Sequence, residues 1–265
     1  MSAVGLYLHG DREDARALGQ TITTWLSDRA HVVEVEPEHP SDFDLVVAVG
    51  GDGTVLRGAR GAVVADADVI GINLGELGYL AEVEPAGWEA AFQAYFDGRH
   101  QIEERMLVEA SVRGRQNPPP GLNEVVIEKQ ALGRTVRLRV SIDGAFFTSY
   151  VADGVIVATP TGSTAYSLSA RGPIVAPSHR ALVLTPVSPH TLFDRSLVLG
   201  PESVVTVEVV GDRDAAMSID GHDHGIIGVG EQVTISAAAD PARFVTFGPR
   251  NFHKILKSKF GLNDR

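Results

Sequence analysis

The sequence contains the stretch Leu45-Val46-Val47-Ala48-Val49-Gly50-Gly51-Asp52-Gly53-Thr54, an all-apolar run followed by three glycines and one carboxylate. Such a run predicts a strand that is buried on both faces, as in a parallel sheet. A helix is predicted from Thr54 to Ala65, so the glycines lie between a strand end and a helix start. Ligands collect at that end of a parallel sheet, and the free N–H groups of a helix start attract phosphate. The stretch therefore predicts a turn that handles phosphate, although such turns also serve as plain tight connections.

Two common nucleotide-binding motifs are excluded at this turn. The P-loop ends in Gly-Lys-Ser/Thr, and glycine precedes none of the four lysines of the chain. The glycine spacing also differs from that of the Gly-x-Gly-x-x-Gly dinucleotide fingerprint. Asp52 needs its own explanation, because a carboxylate among phosphate-binding N–H groups repels the ligand unless it meets a metal ion or a proton donor. A general base toward a hydroxyl, with magnesium nearby, meets both needs.

The first hundred residues alternate apolar runs with helical periodicity, which predicts an α/β domain with a parallel sheet. Asp11 is the predicted N-cap of the first helix, since apolar residues recur with helical spacing after it. The predicted order is βαββαβ. The strands are expected at Val4–Leu8, Val32–Val35, Leu45–Val49 and Val69–Asn73, and the helices after Asp11, at Thr54–Ala65 and at Trp88–Phe96.

The character of the sequence changes near residue 100, where short alternating runs separated by turns predict a β-rich domain. Asp143-Gly144 is typical of a two-residue hairpin turn. We assign residues 1–100 to the α/β domain, with the tail 248–265 packed back on it, and residues 101–247 to the β-rich domain. The strands are expected at Leu107–Val112, Val125–Glu128, Val136–Ile142, Phe146–Tyr150, Gly154–Val157, Leu182–Thr185, Val204–Val209 and Val233–Ser236.

Composition excludes several classes of protein. The formal net charge of −11 disfavours nucleic acid and anionic membranes as partners, so an anionic ligand needs a local pocket. The absence of cysteine excludes disulfides, thiolate metal sites and cysteine nucleophiles. Acidic residues directly after Gly10 are not typical of a signal peptide, and no stretch approaches the roughly 20 apolar residues of a membrane span. We expect a cytoplasmic protein.

Three further groups of residues are of types that can contact a ligand. The segment 73–80, which begins with Asn73, again places glycines after a strand. Asn123-Glu124 puts an amide and a carboxylate where a strand leaves a loop, and both side chains accept hydrogen bonds. Asp153 opens a strand that ends in the run Thr159-Pro160-Thr161-Gly162-Ser163-Thr164-Ala165-Tyr166-Ser167-Leu168-Ser169. The run predicts a short helix whose hydroxyl and N–H groups hold phosphate or ribose oxygens, although such hydroxyls are also plain helix caps.

Together these residues resemble the bacterial NAD kinase family, and the resemblance covers nearly the whole chain. It rests on six motifs in family order, which are Gly50–Thr54, Asn73–Leu80, Asn123-Glu124, Thr159–Ser169, Thr185-Pro186-Val187-Ser188-Pro189-His190 and Asp220-Gly221. The turn alone is shared more widely, since related lipid kinases and phosphofructokinases also have it. The resemblance implies magnesium-dependent transfer of the ATP γ-phosphate to the 2′-hydroxyl of the adenosine ribose of NAD, which gives NADP and ADP. Some members use polyphosphate as the donor.

The resemblance also implies roles for individual residues. Asp52 is the expected general base, and Gly51 and Gly53 leave room for phosphates. The other residues expected to bind NAD or ATP are Asn73, Asn123, Glu124, Arg134, Asp153, Thr161, Thr164, Ala165, Tyr166, Ser167, Leu168, Ser169, Ser188 and His222. The family fold implies a cleft between the two domains that holds the site, and a homo-oligomer, a dimer or a tetramer, whose neighbours complete the NAD site. We expect no nucleic-acid or membrane partner.

Four positions depart from the family pattern. Arg171 stands where a glycine is common, and is either a surface residue or an extra phosphate or subunit contact. Tyr79 replaces a frequent phenylalanine, while Glu76 and Val151 stand where basic residues occur. Two alternative functions stay open from the sequence, namely a lipid or small-alcohol kinase with the same turn, and a non-catalytic NAD-sensing module. A metal site at His222-Asp223-His224 is disfavoured, because glycines flank it.

Overall fold

The structure is a computed structural model that describes residues 1–38, 40, 42–75, 78–131, 133–249 and 251–262. The chain forms two units. The first comprises Met1–Glu104 and Ala242–Arg265, and the second comprises Arg105–Pro241.

The helices and strands follow in chain order. The strands are β1 (Ala3–Leu8), β2 (Val32–Val35), β3 (Leu45–Gly50), β4 (Asp68–Asn73), β5 (Gln101–Arg105), β6 (Val108–Val112), β7 (Glu124–Lys129), β8 (Val136–Ile142), β9 (Ala145–Ala152), β10 (Gly154–Ala158), β11 (Leu182–Val187), β12 (Leu197–Leu199), β13 (Val205–Val210), β14 (Ala215–Ile219), β15 (His222–Ile227), β16 (Gln232–Ala237) and β17 (Ala242–Thr246). The helices are α1 (Glu13–Ser27), α2 (Asp52–Ala65), α3 (Trp88–Phe96), α4 (Tyr166–Ser169) and α5 (Phe252–Lys259).

The first unit is built on a sheet with the strand order β2-β1-β3-β4-β17-β5. Strands β1 to β4 pair in parallel, and β17 is parallel to β4. The predicted order βαββαβ is confirmed by β1, α1, β2, β3, α2 and β4. All six residues of β3 are buried, as its apolar run predicts. Helices α1 and α3 contribute to the same core through Ile22 and Phe92.

Two helix starts differ from the prediction. Helix α1 begins at Glu13, and the residue at its N-cap is Arg12 rather than Asp11, without a side-chain cap. The two acids in its first turn, Glu13 and Asp14, instead complement the positive end of the helix dipole. Helix α2 begins at Asp52, two residues earlier than predicted, because Gly51 takes the extended N-cap conformation. Asp52 is thus the first residue of the helix.

The second unit contains two antiparallel sheets, with the strand orders β12-β11-β10-β7-β14-β15 and β6-β16-β13-β8-β9. Residues from both sheets share one core, including Ile127 and Val155 from the first sheet and Leu138 and Val207 from the second. The sheets therefore pack face to face. The predicted turn between β8 and β9 is confirmed, since Asp143 and Gly144 have φ angles of 52° and 77°. Positive φ at both residues is typical of a type I′ hairpin turn.

Several elements were not predicted from the sequence. They are β5, β12, β14, β15, β17 and α5. Strand β17 lies in the range that the sequence analysis assigns to the second domain, yet it pairs with β4 in the first sheet. Helix α5 is capped by the Asn251 side chain, which accepts a hydrogen bond from the Lys254 backbone at 3.0 Å. The ring of Phe252 lies 6.3 Å from the ring of Tyr79, so this helix packs on the first unit.

Candidate active site

The glycine turn ends β3 and starts α2 in a tight geometry. A Cβ atom on Gly50 would lie 2.4 Å from Thr54 Oγ1, so this position requires glycine. Gly51 and Gly53 differ, because a Cβ atom on either would meet no described atom within 4 Å. Both are exposed. The open space therefore lies over the first turn of the helix, where free N–H groups and the dipole favour an anion.

Asp52 is held by the loop that follows β4. Gly50 pairs with Asn73 in the register of β3 and β4, which brings the two strand ends together. The backbone N–H of Tyr79 donates to Asp52 Oδ2 at 2.9 Å, and that of Leu80 donates to Oδ1 at 3.0 Å. Two carboxylate oxygens offer about four lone-pair positions, so acceptor capacity remains. The side chain is half-buried, which leaves it fixed in place and accessible.

Asn73 shapes its own loop. Its side-chain amide donates to the carbonyl of Gly75 and accepts from the N–H of Gly75, both at 3.2 Å. The residue is 8% exposed. Its predicted contact with ligand stays a prediction, and the geometry adds a structural role. Glu76 and Leu77, from the same predicted segment, lie outside the described residues.

A cavity of about 380 Å³ lies beside the glycine turn. Gly51, Gly53 and Thr54 line it, and so do three residues that the sequence analysis missed, His9, Gly10 and Arg57. His9 and Gly10 follow β1, which neighbours β3 in the sheet, so strand order was the signal that could have found them. Arg57 lies one helical turn after Gly53 and pairs with Glu36, with Nη2 to Oε1 at 3.0 Å. The N–H groups of the helix start lie at one end of the cavity, which suits phosphate, whereas the charge of Arg57 is balanced by Glu36.

In the second unit, the sheet brings Asn123-Glu124 next to the hydroxyl-rich run. Strands β7 and β10 are antiparallel, with Glu124 opposite Ala158. The backbone N–H of Thr159 donates to the Asn123 carbonyl at 2.8 Å. A Cβ atom on Gly162 would lie 2.0 Å from the same carbonyl oxygen, so only glycine fits there. Two motifs that are distant in sequence thus form one site.

Asp220 fixes the backbone of Asn123-Glu124. It lies in the turn between β14 and β15 with a φ angle of 49° and is 7% exposed. Its carboxylate accepts the N–H groups of Leu122 and Asn123 at 2.7 Å and that of Glu124 at 3.1 Å. Asp220 belongs to one of the six motifs of the family resemblance, but no role was predicted for it from the sequence. Its hydrogen bonds make it the support of the neighbouring loop.

Glu124 is an unusual carboxyl group. It is 6% exposed, and its Oε2 atom has no hydrogen-bond partner among the described residues. Burial, and secondarily the charge of Asp220, raises the pKa of Glu124 to about 8, although the backbone N–H of Tyr166 acts in the opposite direction. A buried polar atom without a partner is costly, so a ligand that bonds to Oε2 gains affinity.

Most hydroxyls of the run 159–169 are used inside the protein. Thr159 Oγ1 donates to the Leu122 carbonyl at 2.6 Å, and Thr164 Oγ1 donates to the Thr161 carbonyl at 3.1 Å. Ser167 Oγ lies 3.1 Å from Thr185 Oγ1 and is fully buried. The buried Arg105 donates to Thr161 Oγ1 at 3.2 Å. These bonds occupy the hydroxyls inside the protein, although neither the turn at 162–164 nor α4 has a side-chain cap, and ligand contacts of Thr161, Thr164 and Ser167 stay predictions.

Tyr166 and Asp153 lie at an acidic part of the second unit. Asp153 forms an ion pair with Lys129, with Oδ1 to Nζ at 2.6 Å. The pKa of Tyr166 is raised, first by burial and then by the charges of Glu128, Asp153 and Glu124. Tyr166 is 38% exposed. The other predicted residues of α4 and its start, Ala165, Leu168 and Ser169, are half-buried or exposed.

The remaining predicted site residues are exposed. Arg134 lies in the loop before β8, Ser188 follows β11 with a φ angle of 45°, and His222 is the first residue of β15. In the part of the chain that the structure describes, no group of three or more His, Cys, Asp or Glu side chains is arranged to hold a metal ion. Within the same residues, no helix is long and apolar enough to cross a membrane.

Comparisons with known proteins assign both units to one family. The model of the ATP-NAD kinase N-terminal domain matches residues 6–100, and the model of the ATP-NAD kinase C-terminal domain matches residues 122–247. The chain is 37% identical to the NAD kinase of Heliobacterium modesticaldum, with 98% of each chain covered. It is 36% identical to NAD kinase 1 of Streptomyces coelicolor, over 98% of this chain and 86% of that protein.

Two solved structures are similar over nearly the whole chain. The yeast NADH kinase complexed with NADH has a TM-score of 0.89 and 25% identity, and covers 100% of this chain and 89% of that one. The NAD kinase from Archaeoglobus fulgidus in complex with ATP has a TM-score of 0.75 and 27% identity, with 98% of each chain covered.

Proposed function

Because the chain belongs to the NAD kinase family, we propose that Asp52 is the general base that lets it transfer the γ-phosphate of ATP to the 2′-hydroxyl of NAD. The observation that carries this role is the position of the carboxylate. Asp52 is the first residue of α2, its two oxygens are fixed by backbone N–H groups, and the space above the adjacent glycines is open. A base and a phosphate-binding helix start thus lie side by side.

The proposed reaction is an in-line displacement. Asp52 accepts the proton of the 2′-hydroxyl while that oxygen forms a bond to the γ-phosphorus of ATP. The bond between this phosphorus and the oxygen that bridges the β- and γ-phosphates breaks, and ADP leaves with the electron pair. A positioned general base typically contributes about 10² to 10⁴ in rate. N–H groups at the start of α2 stabilise the negative charge on the transferring group.

The donor phosphates are proposed to occupy the cavity beside the glycine turn. Gly51 and Gly53 leave its floor open, and His9 and Arg57 add polar donors to its wall. ATP as the donor is supported by the similarity to the Archaeoglobus fulgidus NAD kinase in complex with ATP. Polyphosphate is the alternative donor, since the same N–H groups would bind a chain of phosphates.

The nucleotide of NAD is proposed to bind to the second unit. Asn123 and Glu124 are held by Asp220, and the unpaired Oε2 of Glu124 offers a partner to a ribose hydroxyl or an adenine amino group. The partly exposed Tyr166 is proposed to offer a stacking face beside Asp153. The similarity to the yeast NADH kinase complexed with NADH supports a dinucleotide in this family fold.

Magnesium fits the site as an ion that arrives with ATP. The protein needs no metal cage of its own, because Mg²⁺ keeps several waters and binds through one or two carboxylates and substrate phosphates. Asp52 is the carboxylate available at the turn, beside the open space. Bound there, magnesium would neutralise charge on the ATP phosphates.

Three wider assignments are also proposals. Large apolar side chains that are exposed, such as Phe146 and Leu192, support a homo-oligomer, a dimer or a tetramer, which light scattering coupled to gel filtration would measure. The absence of cysteine supports a cytoplasmic location. The domain boundaries after residues 100 and 247 stay predictions, whereas the structure divides the chain after residues 104 and 241, and limited proteolysis would distinguish the two pairs.

One assay tests the function against its alternatives. Purified protein is mixed with Mg-ATP and NAD, and NADP is measured with a dehydrogenase that uses only NADP. We expect NADP to form with one ADP for each NADP. ADP formation only with a lipid or another small alcohol would indicate the related kinase. NAD binding without any NADP would indicate a sensing module.

A further inference from the structure

The loop that follows β4 controls the position of the proposed base. We infer that Gly78 is a positioning residue, whose missing side chain lets the Asp52 carboxylate reach the N–H groups of Tyr79 and Leu80. This inference rests on the proposed role of Asp52, and it adds a residue that touches neither substrate.

The geometry at Gly78 leaves no room for a side chain. A Cβ atom there would lie 2.2 Å from Asp52 Oδ1 and 2.9 Å from Asp52 Cγ. Both distances are below those of real Cβ contacts, so either the loop or the carboxylate has to move. Gly78 is buried, and its backbone φ is not in the left-handed region. Alanine is therefore compatible with the backbone, and the three described atoms nearest to its Cβ atom all belong to Asp52.

The two hydrogen bonds determine the direction of the carboxylate. Each oxygen of Asp52 accepts one N–H, at 2.9 and 3.0 Å, from consecutive residues of the same loop. This pair of bonds fixes the plane of the carboxylate and directs its remaining lone pairs. A group that accepts a proton in the transition state loses rate when its lone pair is misdirected, and a misplacement of about 1 Å costs on the order of 10²-fold.

Rotation of the Asp52 side chain is the change that accommodates a new Cβ atom at the lowest cost in free energy, because a carboxylate at the end of a side chain moves more easily than a packed backbone. That rotation would break both hydrogen bonds and leave the fold intact. Gly78→Ala should therefore lower the rate of the chemical step and leave substrate binding nearly unchanged, with a loss of stability limited to that of the two broken hydrogen bonds. A glycine with a purely structural role would lower stability and leave the kcat of the folded protein unchanged.

The test is a cycle of four proteins, namely wild type, Gly78→Ala, Asp52→Asn and the double variant. We expect Gly78→Ala to lower kcat by about tenfold to a hundredfold, with KM for NAD and ATP within about twofold of wild type. In the Asp52→Asn background the same change should alter kcat by less than about twofold, since the group that it displaces is already inactive. Gly87→Ala is the matched control, because a Cβ atom on Gly87 meets nothing within 4 Å.

A second measurement reads the hydrogen bonds directly. The amide protons of Tyr79 and Leu80 are expected to move upfield in Gly78→Ala in a ¹H–¹⁵N correlation spectrum, as bonds to a carboxylate are lost. Neither should move in Gly87→Ala.

Each outcome decides the inference. Four results would overturn it. They are a normal kcat in Gly78→Ala, an equal loss of kcat when the change is made in the Asp52→Asn background, amide protons that do not move, and a variant that fails to fold. Each shows that the carboxylate does not yield to the new atom. If Asp52→Asn itself keeps normal kcat, the proposed base is wrong, and the inference fails with it. A large loss in Asp52→Asn with a normal Gly78→Ala would leave the base in place and reject only the positioning role.

Discussion

Asp52 and Asp220 are both held by backbone N–H groups of a distant loop, yet they differ in what they leave accessible. Asp52 accepts two such bonds, is half-buried, and lies beside open space at a helix start. Asp220 accepts three, is 7% exposed, and lies in a hairpin turn. The same interaction thus holds an accessible carboxylate, the proposed base, in one unit and an enclosed carboxylate in the other.

The difference shows how the number of bonds and the burial separate two roles for one residue type. A carboxylate with spare lone pairs and access to solvent can take a proton from a substrate. A carboxylate that is enclosed by three N–H groups has little left to offer, and its removal exposes those donors as unpaired. Replacement of aspartate by asparagine keeps the shape of the side chain and removes its charge. This change should therefore lower mainly kcat at Asp52 and mainly the free energy of unfolding at Asp220.

The largest effect is expected at the first of these positions. Asp52→Asn should lower kcat by about 10² to 10⁴, because an amide cannot accept the proton. The Kd for NAD should change little, and the free energy of unfolding should fall less than in Asp220→Asn, since the amide NH₂ group faces one backbone N–H and not two. Steady-state kinetics and calorimetric titration measure both. Asp11→Asn, an exposed acid of the same unit, is the control, and activity near wild type in Asp52→Asn would remove it from the role of base.

Asp220→Asn should act on the fold. The amide has one oxygen to accept three N–H groups, and its own NH₂ group faces at least one of them. We expect the free energy of unfolding to fall by about 2 to 4 kcal/mol in urea titrations. Asp223→Asn, on the same hairpin, accepts one exposed N–H and should stay within about 0.5 kcal/mol of wild type. Equal stability of the two variants would mean that the three bonds do not support the loop.

Glu124 should make stability depend on pH. Its pKa is raised from 4.5 to about 8 in the folded protein, so between these values the unfolded chain releases a proton that the folded chain keeps. The unfolded state then binds fewer protons, and the free energy of unfolding falls as pH rises from about 5 to 8. The glutamine of Glu124→Gln cannot ionise, so this variant does not lose stability in this way as the pH rises. The free energy of unfolding of the variant, relative to that of wild type, should rise by about 2 kcal/mol across that range. One pKa unit corresponds to about 1.4 kcal/mol, and relaxation of the site makes the change smaller than the whole pKa shift implies.

Glu231→Gln provides the opposite sign in the same titrations. A backbone N–H from Gly228, and then Arg115, lower the pKa of Glu231, so its contribution to stability is present at neutral pH and is lost as pH falls. The variant should therefore be less stable than wild type by a nearly constant amount between about pH 5 and 8, and this deficit should shrink only below the ordinary pKa of 4.5. An advantage of Glu124→Gln that stays constant with pH would show that Glu124 is charged in the folded protein throughout this range.

The smallest effect is expected at Arg171, which stands where the family commonly has glycine. Arg171 has a φ angle of 69°, a conformation that costs residues with a Cβ atom roughly 1 kcal/mol. Arg171→Gly should raise the free energy of unfolding by about 1 kcal/mol with kcat and KM unchanged, if Arg171 is a surface residue. Arg180→Gly, at an exposed position without positive φ, should give no gain. A raised KM for ATP in Arg171→Gly would instead indicate a phosphate contact.

Much of the first sheet was predictable because its patterns are local. The apolar run before Gly50 gave strand β3, and helix α3 has the predicted bounds Trp88–Phe96. Strand β17 was missed because its residues have no distinct periodicity, and nothing local indicates that a strand near residue 242 pairs with β4. Sheet partners over that separation depend on the whole fold.

The candidate site also contains some residues that the local sequence predicts and others that it does not. Asp52 and the glycines were predicted from one continuous stretch, as was the run 159–169, and their roles at a ligand stay predictions. The role of Asp220 could not be found, because it depends on N–H groups that lie far away in sequence and carry no side-chain signal. The cavity residues His9 and Arg57 depend on strand order and helix phase. Most hydroxyls of the run were expected to face a ligand or cap a helix, and the structure uses them internally.

Our proposals assign the chemistry to Asp52 and the support of the nucleotide site to Asp220. The decisive measurement is NADP formation against NAD concentration for Asp52→Asn and Asp220→Asn, with rates corrected for the folded fraction. We expect saturating NAD to restore most of the rate of Asp220→Asn, whose KM for NAD should be raised about tenfold or more, and to restore none of the loss in Asp52→Asn. Both proposals would be wrong if the rate of Asp52→Asn recovered at high NAD and the loss in Asp220→Asn did not.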